Sequence, residues 1–281
     1  MKRILITGAG SYIGTSFERY MRVGYPDGYA VDTIDMIGDA WRNTSFSGYD
    51  CVFHVAGIAH RKETRENAPL YDLVNRALAV EVAQKAKADG VKQFVFLSSM
   101  SVYGKETGSI DRATRPQPKS NYGKSKWAAE EGIVALQDAS YRVCILRPPM
   151  VYGSGCKGNF QSVVKLVKKL PCFPRVHNER SMIYIDNLCA FVKQCIDEER
   201  EGLYLPQNRE YVQTQQMARE IAVGLGKRLW MSRLLGFAVW VLRGAVPMLK
   251  KAFGTLVYTD PDLLPPELEV EVAASIRQSA Q

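Results

Sequence analysis

The chain of 281 residues is 46% hydrophobic, enough to bury a full core in one domain with an accessory lobe. Its net charge of +8 is spread along the sequence without a block of like charges, which disfavours a nucleic-acid partner and favours an anionic small substrate. Six cysteines without a Cys-x-x-Cys pair and three histidines without metal spacing predict reduced thiols, a cytoplasmic location and no metal site.

The N-terminal residues predict a strand, a glycine turn and a helix rather than a secretion signal, because the apolar run ends early at a glycine. Backbone N–H groups at a helix N-terminus favour a pyrophosphate, and glycine lets the main chain approach it closely. We therefore predict a dinucleotide site at this turn. Its residues are Gly8, Gly10, Ser11, Tyr12, Ile13 and Gly14.

A second predicted strand, 29–34, is followed by Asp35, which lies 21 residues after Gly14. An acidic residue at this distance accepts hydrogen bonds from the adenosine ribose and repels a 2′-phosphate. NAD is therefore favoured as cofactor, and NADP stays possible. Asp32 is a rival for the same role.

Strands and helices alternate through the first 150 residues, with strands predicted at 50–56 and 92–98 and a helix at 66–89. The strands are nearly continuous in apolar residues, as parallel strands covered on both faces are. The pattern predicts a doubly wound α/β sheet of the Rossmann type. We interpret His54 as a packed residue and the basic loop 60–62 as solvated.

Ser99, Tyr122 and Lys126 are the candidate catalytic residues. The four-residue spacing places Tyr122 and Lys126 on one face of a helix, where the ammonium would stabilise the ionised phenol. A phenol titrates near pH 10, so a base that works at neutral pH needs a lower pKa. Tyr122 is then the general acid/base, and Ser99 orients the substrate oxygen.

Six motifs follow one another along the chain: TGAGSYIG (7–14), VFHVAG (52–57), LSSMSVYG (97–104), YGKSK (122–126), LRPPMVYG (146–153) and ERSMIYIDNL (179–188). In this order the chain, from residue 2 to about 258, resembles the extended short-chain dehydrogenase/reductase family of nucleotide-sugar epimerases, dehydratases and ketoreductases. Ser11 stands at the middle position of the glycine turn, where the family usually has glycine.

The resemblance implies roles for further residues. Ala56 and Gly57 would pass beneath the cofactor, Tyr122 and Lys126 would also contact it, and Asn75 would hold backbone near the active site. The substrate would be bound by Ser99, Ser101, Asn159 and Arg180, the last two at its diphosphate.

The expected organisation is an NAD(P)-binding domain of residues 1–150 with a return segment at about 182–200. A smaller C-terminal substrate lobe comprises 151–181 and 201–281. Segment 229–258 is apolar and basic, and we prefer packing within the lobe or an oligomer, such as a homodimer, to contact with a membrane surface. The tail from Thr259 is expected to be loosely held.

The resemblance implies an NAD-dependent nucleotide-sugar epimerase that acts at sugar C4, as UDP-hexose 4-epimerases do. One alternative is an NAD(P)H-dependent reductase of UDP-4-keto-6-deoxy sugars for surface polysaccharides. Another is a non-catalytic dinucleotide sensor, which would not need Ser99, Tyr122 and Lys126. Met100-Ser101 stand where 4,6-dehydratases have an Asp-Glu pair, so we predict that the protein does not dehydrate its sugar.

Overall fold

The computed structural model describes residues 1–59 and 63–281, so the predicted basic loop 60–62 lies outside the described residues. The strands are β1 (Lys2–Thr7), β2 (Tyr29–Ile34), β3 (Cys51–His54), β4 (Gln93–Leu97), β5 (Gly108–Ile110), β6 (Arg142–Leu146), β7 (Met150–Tyr152), β8 (Cys172–Pro174), β9 (Met182–Tyr184), β10 (Gly202–Tyr204), β11 (Trp230–Ser232) and β12 (Leu256–Tyr258). The helices are α1 (Tyr12–Gly24), α2 (Ala68–Tyr71), α3 (Leu78–Ala88), α4 (Asn121–Val134), α5 (Asn159–Lys169), α6 (Ile185–Asp197), α7 (Thr214–Gly224), α8 (Arg233–Leu242), α9 (Pro247–Phe253) and α10 (Val272–Ser279).

The first of two compact units holds a six-stranded parallel sheet of order β10-β6-β4-β3-β1-β2. It comprises Met1–Gly104, Arg115–Pro148 and Cys189–Leu205. The chain runs from β1 to β2 on one side and then to β3 on the other. The strand order therefore reverses at the carboxyl ends of β1 and β3, where ligands bind in doubly wound sheets. The predicted Rossmann-type fold is confirmed.

Continuous apolar runs form the centre of this sheet because both of its faces are covered. Every residue of β3 and of β4 is buried. The helices and loops around the sheet contribute aromatic and aliphatic side chains to one core, which includes Trp41, Phe46, Val82 and Ile133. This rigid sheet fixes the positions of the loops that follow its strands.

The second unit comprises Lys105–Thr114, Pro149–Leu188 and Pro206–Gln281. Its strands form three parallel pairs, β5 with β12, β7 with β9 and β8 with β11. We expected residues 182–185 to return to the main sheet, but β9 pairs with β7. The strand that does join the main sheet is β10, which lies beside β6.

The C-terminal tail is packed, contrary to our expectation. It ends in α10, whose Val272 and Ile276 are buried within the second unit. Ser275 shares a hydrogen bond of 2.7 Å with the buried Tyr152 hydroxyl. Prolines near the start of the tail suggested a loose segment, but apolar residues at helical spacing follow them and provide the buried face. Within 1–59 and 63–281, no helix is long and apolar enough to cross a membrane.

Candidate active site

The glycine turn after β1 packs directly against the end of β3. Gly8 has φ +116°, and a Cβ placed on it would lie 2.8 Å from the Ala56 nitrogen. A Cβ on Gly14 would lie 2.6 Å from the Ser11 Oγ. Both positions therefore require glycine for close approach, while Gly10, at φ +74°, meets nothing within 4 Å.

Ser11 has a structural role that explains the departure from the family pattern. It is the N-cap of α1, and its Oγ accepts a hydrogen bond from the Gly14 N–H at 3.2 Å. The first turn of α1, which includes Tyr12 and Ile13, contains no acidic residue. N–H groups of a first turn have no partner inside the helix, so this end of α1 fits the diphosphate of a dinucleotide.

Asp35 lies exposed just past β2, beside the glycine turn. The N–H groups of Gly8 and Ala9 both donate to the Ile34 carbonyl, at 2.9 and 3.1 Å, which brings the end of β2 to the turn. The rival Asp32 instead accepts a hydrogen bond from the Tyr49 hydroxyl at 2.8 Å. Asp35 accepts a hydrogen bond from the Ile37 N–H at 3.0 Å, and its position directly after Ile34 places it nearer the glycine turn than Asp32.

Ser99 and Tyr122 are brought together at the carboxyl end of β4, where the Ser99 hydroxyl lies near enough to the Tyr122 phenol to lower its pKa. Ser99 also caps the short helical turn Met100–Tyr103, because its Oγ accepts the Ser101 N–H at 3.1 Å. A second hydrogen bond of 3.1 Å joins the Ser99 and Ser101 hydroxyls. The serine is therefore held in place beside the phenol.

The Lys126 ammonium is held at the end of β4. Its Nζ donates to the Leu97 carbonyl at 2.8 Å and lies 4.6 Å from the centroid of the Phe96 ring. Burial raises the pKa of Tyr122 above its ordinary value, and the nearby Ser99 hydroxyl opposes this only in part. Burial also lowers the pKa of Lys126 to about 8, so the ammonium stays charged at neutral pH.

Gly57 and Asn75 form the floor beneath this lysine. A Cβ on Gly57 would lie 2.9 Å from the Asn75 Oδ1 and 3.5 Å from the Lys126 Nζ. Asn75 lies in a π-helical turn, Asp72–Ala77, and bonds both the N–H and the carbonyl of Ile58, at 2.8 and 3.1 Å. Its predicted role of holding backbone is confirmed, and π-helical turns of this kind are frequent at functional sites.

His54 is neutral and packed, as interpreted from the sequence. Its Nδ1 shares a hydrogen bond of 2.7 Å with the Thr7 hydroxyl, and its ring stacks on Phe94 and Phe96. Burial lowers the pKa of His54 to about 3, and the Lys126 charge acts in the same direction. The imidazole is therefore uncharged throughout the physiological range.

The second unit holds the other two predicted substrate residues. Asn159 is the exposed first residue of α5. The Arg180 Nη1 donates to the carbonyls of Lys251 and Gly254, at 2.9 and 3.0 Å, at the end of α9. Burial lowers the pKa of Arg180, and no carboxylate of residues 1–59 or 63–281 lies within ion-pair distance of it.

The model of the NAD dependent epimerase/dehydratase family matches residues 4–204. The chain belongs to this family. It is 35% identical over 254 residues to the UDP-glucose 4-epimerase of Vibrio cholerae, an alignment that covers 82% of the chain and 77% of the relative.

Solved structures of two other proteins show the same fold as this epimerase/dehydratase family member. The UDP-glucuronic acid 4-epimerase of Bacillus cereus, in complex with NAD, superposes with a TM-score of 0.72 at 16% identity, covering 99% of this chain and 97% of that one. A dTDP-4-dehydrorhamnose reductase of Clostridium acetobutylicum superposes with a TM-score of 0.68 at 21% identity, covering 82% of each chain. The fold thus occurs in both epimerases and reductases.

Sequence reasoning missed two groups that position the candidate catalytic residues of this family member. The Glu63 carboxylate accepts the N–H groups of Asn121 and Tyr122, at 2.7 and 3.1 Å, and so caps α4. The buried Glu130 accepts a hydrogen bond from Ser98 and three from Arg147. Because these partners are far apart in the chain, no local motif indicates them.

Proposed function

We propose that this protein is an NAD-dependent UDP-hexose 4-epimerase. The observation that carries the proposal is that the end of β4 brings the Ser99 hydroxyl, the Tyr122 phenol and the Lys126 ammonium together, an arrangement suited to proton transfer at a sugar hydroxyl. The Vibrio cholerae relative, whose alignment covers most of both chains, supports epimerisation as the reaction. The chain belongs to an NAD-dependent family, which supports NAD as the cofactor.

The chain fits a bound dinucleotide, since a cradle of close-packed glycines precedes a helix N-terminus without acidic residues. In the proposal the turn of Gly8, Gly10, Ser11, Tyr12, Ile13 and Gly14 holds the diphosphate, and Asp35 the adenosine ribose. Ala56, Gly57 and Lys126 would hold its nicotinamide end. When bound, the nicotinamide supplies the reversible oxidation of the sugar at C4.

Tyr122 accepts the proton of the C4 hydroxyl as the carbonyl forms and returns it when the carbonyl is reduced. Because burial raises the pKa of the phenol, positive charge near the bound ligands must lower it for proton transfer. Lys126, still charged at neutral pH, is one such charge. Ser99 holds the substrate oxygen against the phenol during both proton transfers.

On the substrate side we propose Arg180 and Asn159 as ligands of the UDP diphosphate, and Ser101 as a contact to the sugar. With one guanidinium nitrogen on main-chain carbonyls, Arg180 is oriented without its charge being neutralised. A planar guanidinium in this state suits a phosphate better than an exposed, ion-paired arginine does.

Three further statements belong to the proposal. Met100-Ser101 cannot supply the acid and base for elimination near neutral pH, so the protein releases no dehydrated sugar. All six cysteines are free thiols, which supports a cytoplasmic location. A homodimer stays a prediction.

The test begins with protein purified without added cofactor and denatured to release bound nucleotide. An epimerase gains by retaining NAD through its cycle, so we expect NAD absorbance in the released fraction and interconversion of UDP-glucose and UDP-galactose. If no nucleotide co-purifies and NADH or NADPH is consumed with a UDP-4-keto-6-deoxy sugar, the reductase alternative replaces the epimerase. If the protein binds the nucleotide but converts neither substrate, the result supports the alternative of a non-catalytic dinucleotide sensor.

A further inference from the structure

An apolar surface in the second unit plays no part in the proposed chemistry. We define the α8 face as the seven large apolar side chains of β11 and α8 that are exposed. The most exposed are Leu234 at 83%, Trp230 at 76% and Phe237 at 65%. The others are Leu235, Trp240, Val241 and Leu242. An apolar patch of this kind on a protein surface marks a place of interaction.

The helix that carries this face is anchored along one narrow stripe. Only Gly236 and Val239 of α8 are buried. A Cβ on Gly236 would lie 2.2 Å from the Arg175 carbonyl oxygen, so the helix approaches the rest of its unit closely at this point. Phe237 and Trp240 stack on each other with ring centroids 6.0 Å apart. The face is therefore a fixed surface feature, and packing within the lobe, which we preferred from the sequence, covers little of it.

The charged residues of the sequence segment that contains the α8 face have one sign. From residue 221 to residue 259 the sequence contains six Lys or Arg residues and no Asp or Glu. Five of these basic side chains are exposed: Arg228, Arg233, Arg243, Lys250 and Lys251. Within the described part of the chain, none of the five lies in ion-pair distance of a carboxylate. Both the apolar side chains and the positive charges of this region are thus available to a partner.

We propose that the α8 face docks on the surface of a bilayer that contains anionic phospholipid. Exposed Trp and Phe suit the boundary between headgroups and acyl chains, and the flanking Lys and Arg are attracted to anionic headgroups. A helix of ten residues is about 15 Å long, half of the hydrocarbon thickness, so α8 lies in the interface and does not cross it.

The charge pattern disfavours a second copy of the chain as the occupant. A twofold dimer places the same patch of both subunits together, so the basic side chains of one copy would face those of the other. With no acidic residue in the segment to pair with them, this arrangement is repulsive. An anionic lipid surface complements both the charge and the apolar side chains.

The test is flotation of the full-length protein with two kinds of vesicle, phosphatidylcholine alone and phosphatidylcholine mixed with phosphatidylglycerol. We expect the protein to bind the mixed vesicles and to bind the neutral ones about tenfold or more weakly. High salt should release it from the mixed vesicles. The double variant Phe237→Glu/Trp240→Glu should lose binding to the mixed vesicles. Both side chains are exposed, so its unfolding midpoint should match that of the parent protein.

The control is Val223→Glu, which places one glutamate on an exposed apolar position of α7 in the same unit. It should bind the mixed vesicles like the parent protein. Failure of the parent to float, or equal flotation of parent and double variant, overturns the proposal. A dimer that the double variant dissociates, without lipid binding, assigns the face to a second copy. Each outcome is independent of the epimerase reaction, which is measured on water-soluble UDP-sugars.

Discussion

Replacing Gly8 with alanine tests the proposed close contact between the glycine turn and β3. The new methyl group would lie 2.8 Å from the nitrogen and 2.9 Å from the Cα of Ala56. Both atoms are main chain, and the Ala56 N–H donates to the Thr7 carbonyl at 2.9 Å. Neither side of the contact can therefore move without breaking the pairing of the two strand ends.

The expected loss has two parts. An L-residue at φ +116° is strained by about 1 to 2 kcal/mol, and an added methylene in a packed site costs about 1 to 3 kcal/mol. We expect Gly8→Ala to lower the free energy of unfolding by about 2 to 5 kcal/mol. Gly10→Ala is the matched control, because φ is +74° there but no atom lies within 4 Å, so only the strain of about 1 to 2 kcal/mol remains.

The measurement is urea unfolding followed by tryptophan fluorescence, with Trp41 buried in the same unit as the turn. Equal losses for the two variants, within about 0.5 kcal/mol, would show that the contact with Ala56 is absent. Calorimetric titration with NAD adds a second readout. Gly8→Ala should weaken NAD binding as well, since displacement of the turn moves the N–H groups proposed to hold the diphosphate.

Three further predictions concern catalysis, cofactor choice and the buried ion pair. Tyr122→Phe should reduce kcat by about 100-fold or more while NAD affinity measured by calorimetry is retained, and near-normal turnover would remove the phenol from the mechanism. Asp35→Ala should weaken NAD binding and reduce the protein's preference for NAD over NADP, whereas Asp32→Ala should change neither affinity. If only Asp32→Ala has these effects, Asp32 is the residue that binds the ribose. Glu130→Gln removes the carboxylate charge that balances the buried guanidinium of Arg147, so the free energy of unfolding should fall by about 3 to 5 kcal/mol. Breaking the exposed pair with Asp72→Asn should lower it by less than about 0.5 kcal/mol.

The tertiary structure differs from the sequence-based predictions where one local pattern is compatible with two structures. The four-residue spacing of Tyr122 and Lys126 does put both on one helix, but their environments differ. The ammonium bonds the Leu97 carbonyl, and burial, which depends on the whole fold, determines the direction of the phenol pKa. The C-terminal tail likewise contains prolines typical of loose segments, yet α10 packs against α7 and buries its apolar side chains.

Local chemistry was enough to predict the alternating strands and helices, the glycine turn, and the positions of Asp35 after β2, of Ser99 after β4, and of Tyr122 and Lys126 on one helix. Each depends on hydrophobic period, turn conformation or helix capping, which act over a few neighbouring residues. Only the tertiary structure decided that Glu63 caps α4, that Glu130 and Arg147 form a buried pair, and that the α8 face stays uncovered. Such contacts join residues far apart in the chain, and burial depends on what the folded chain places over each side chain.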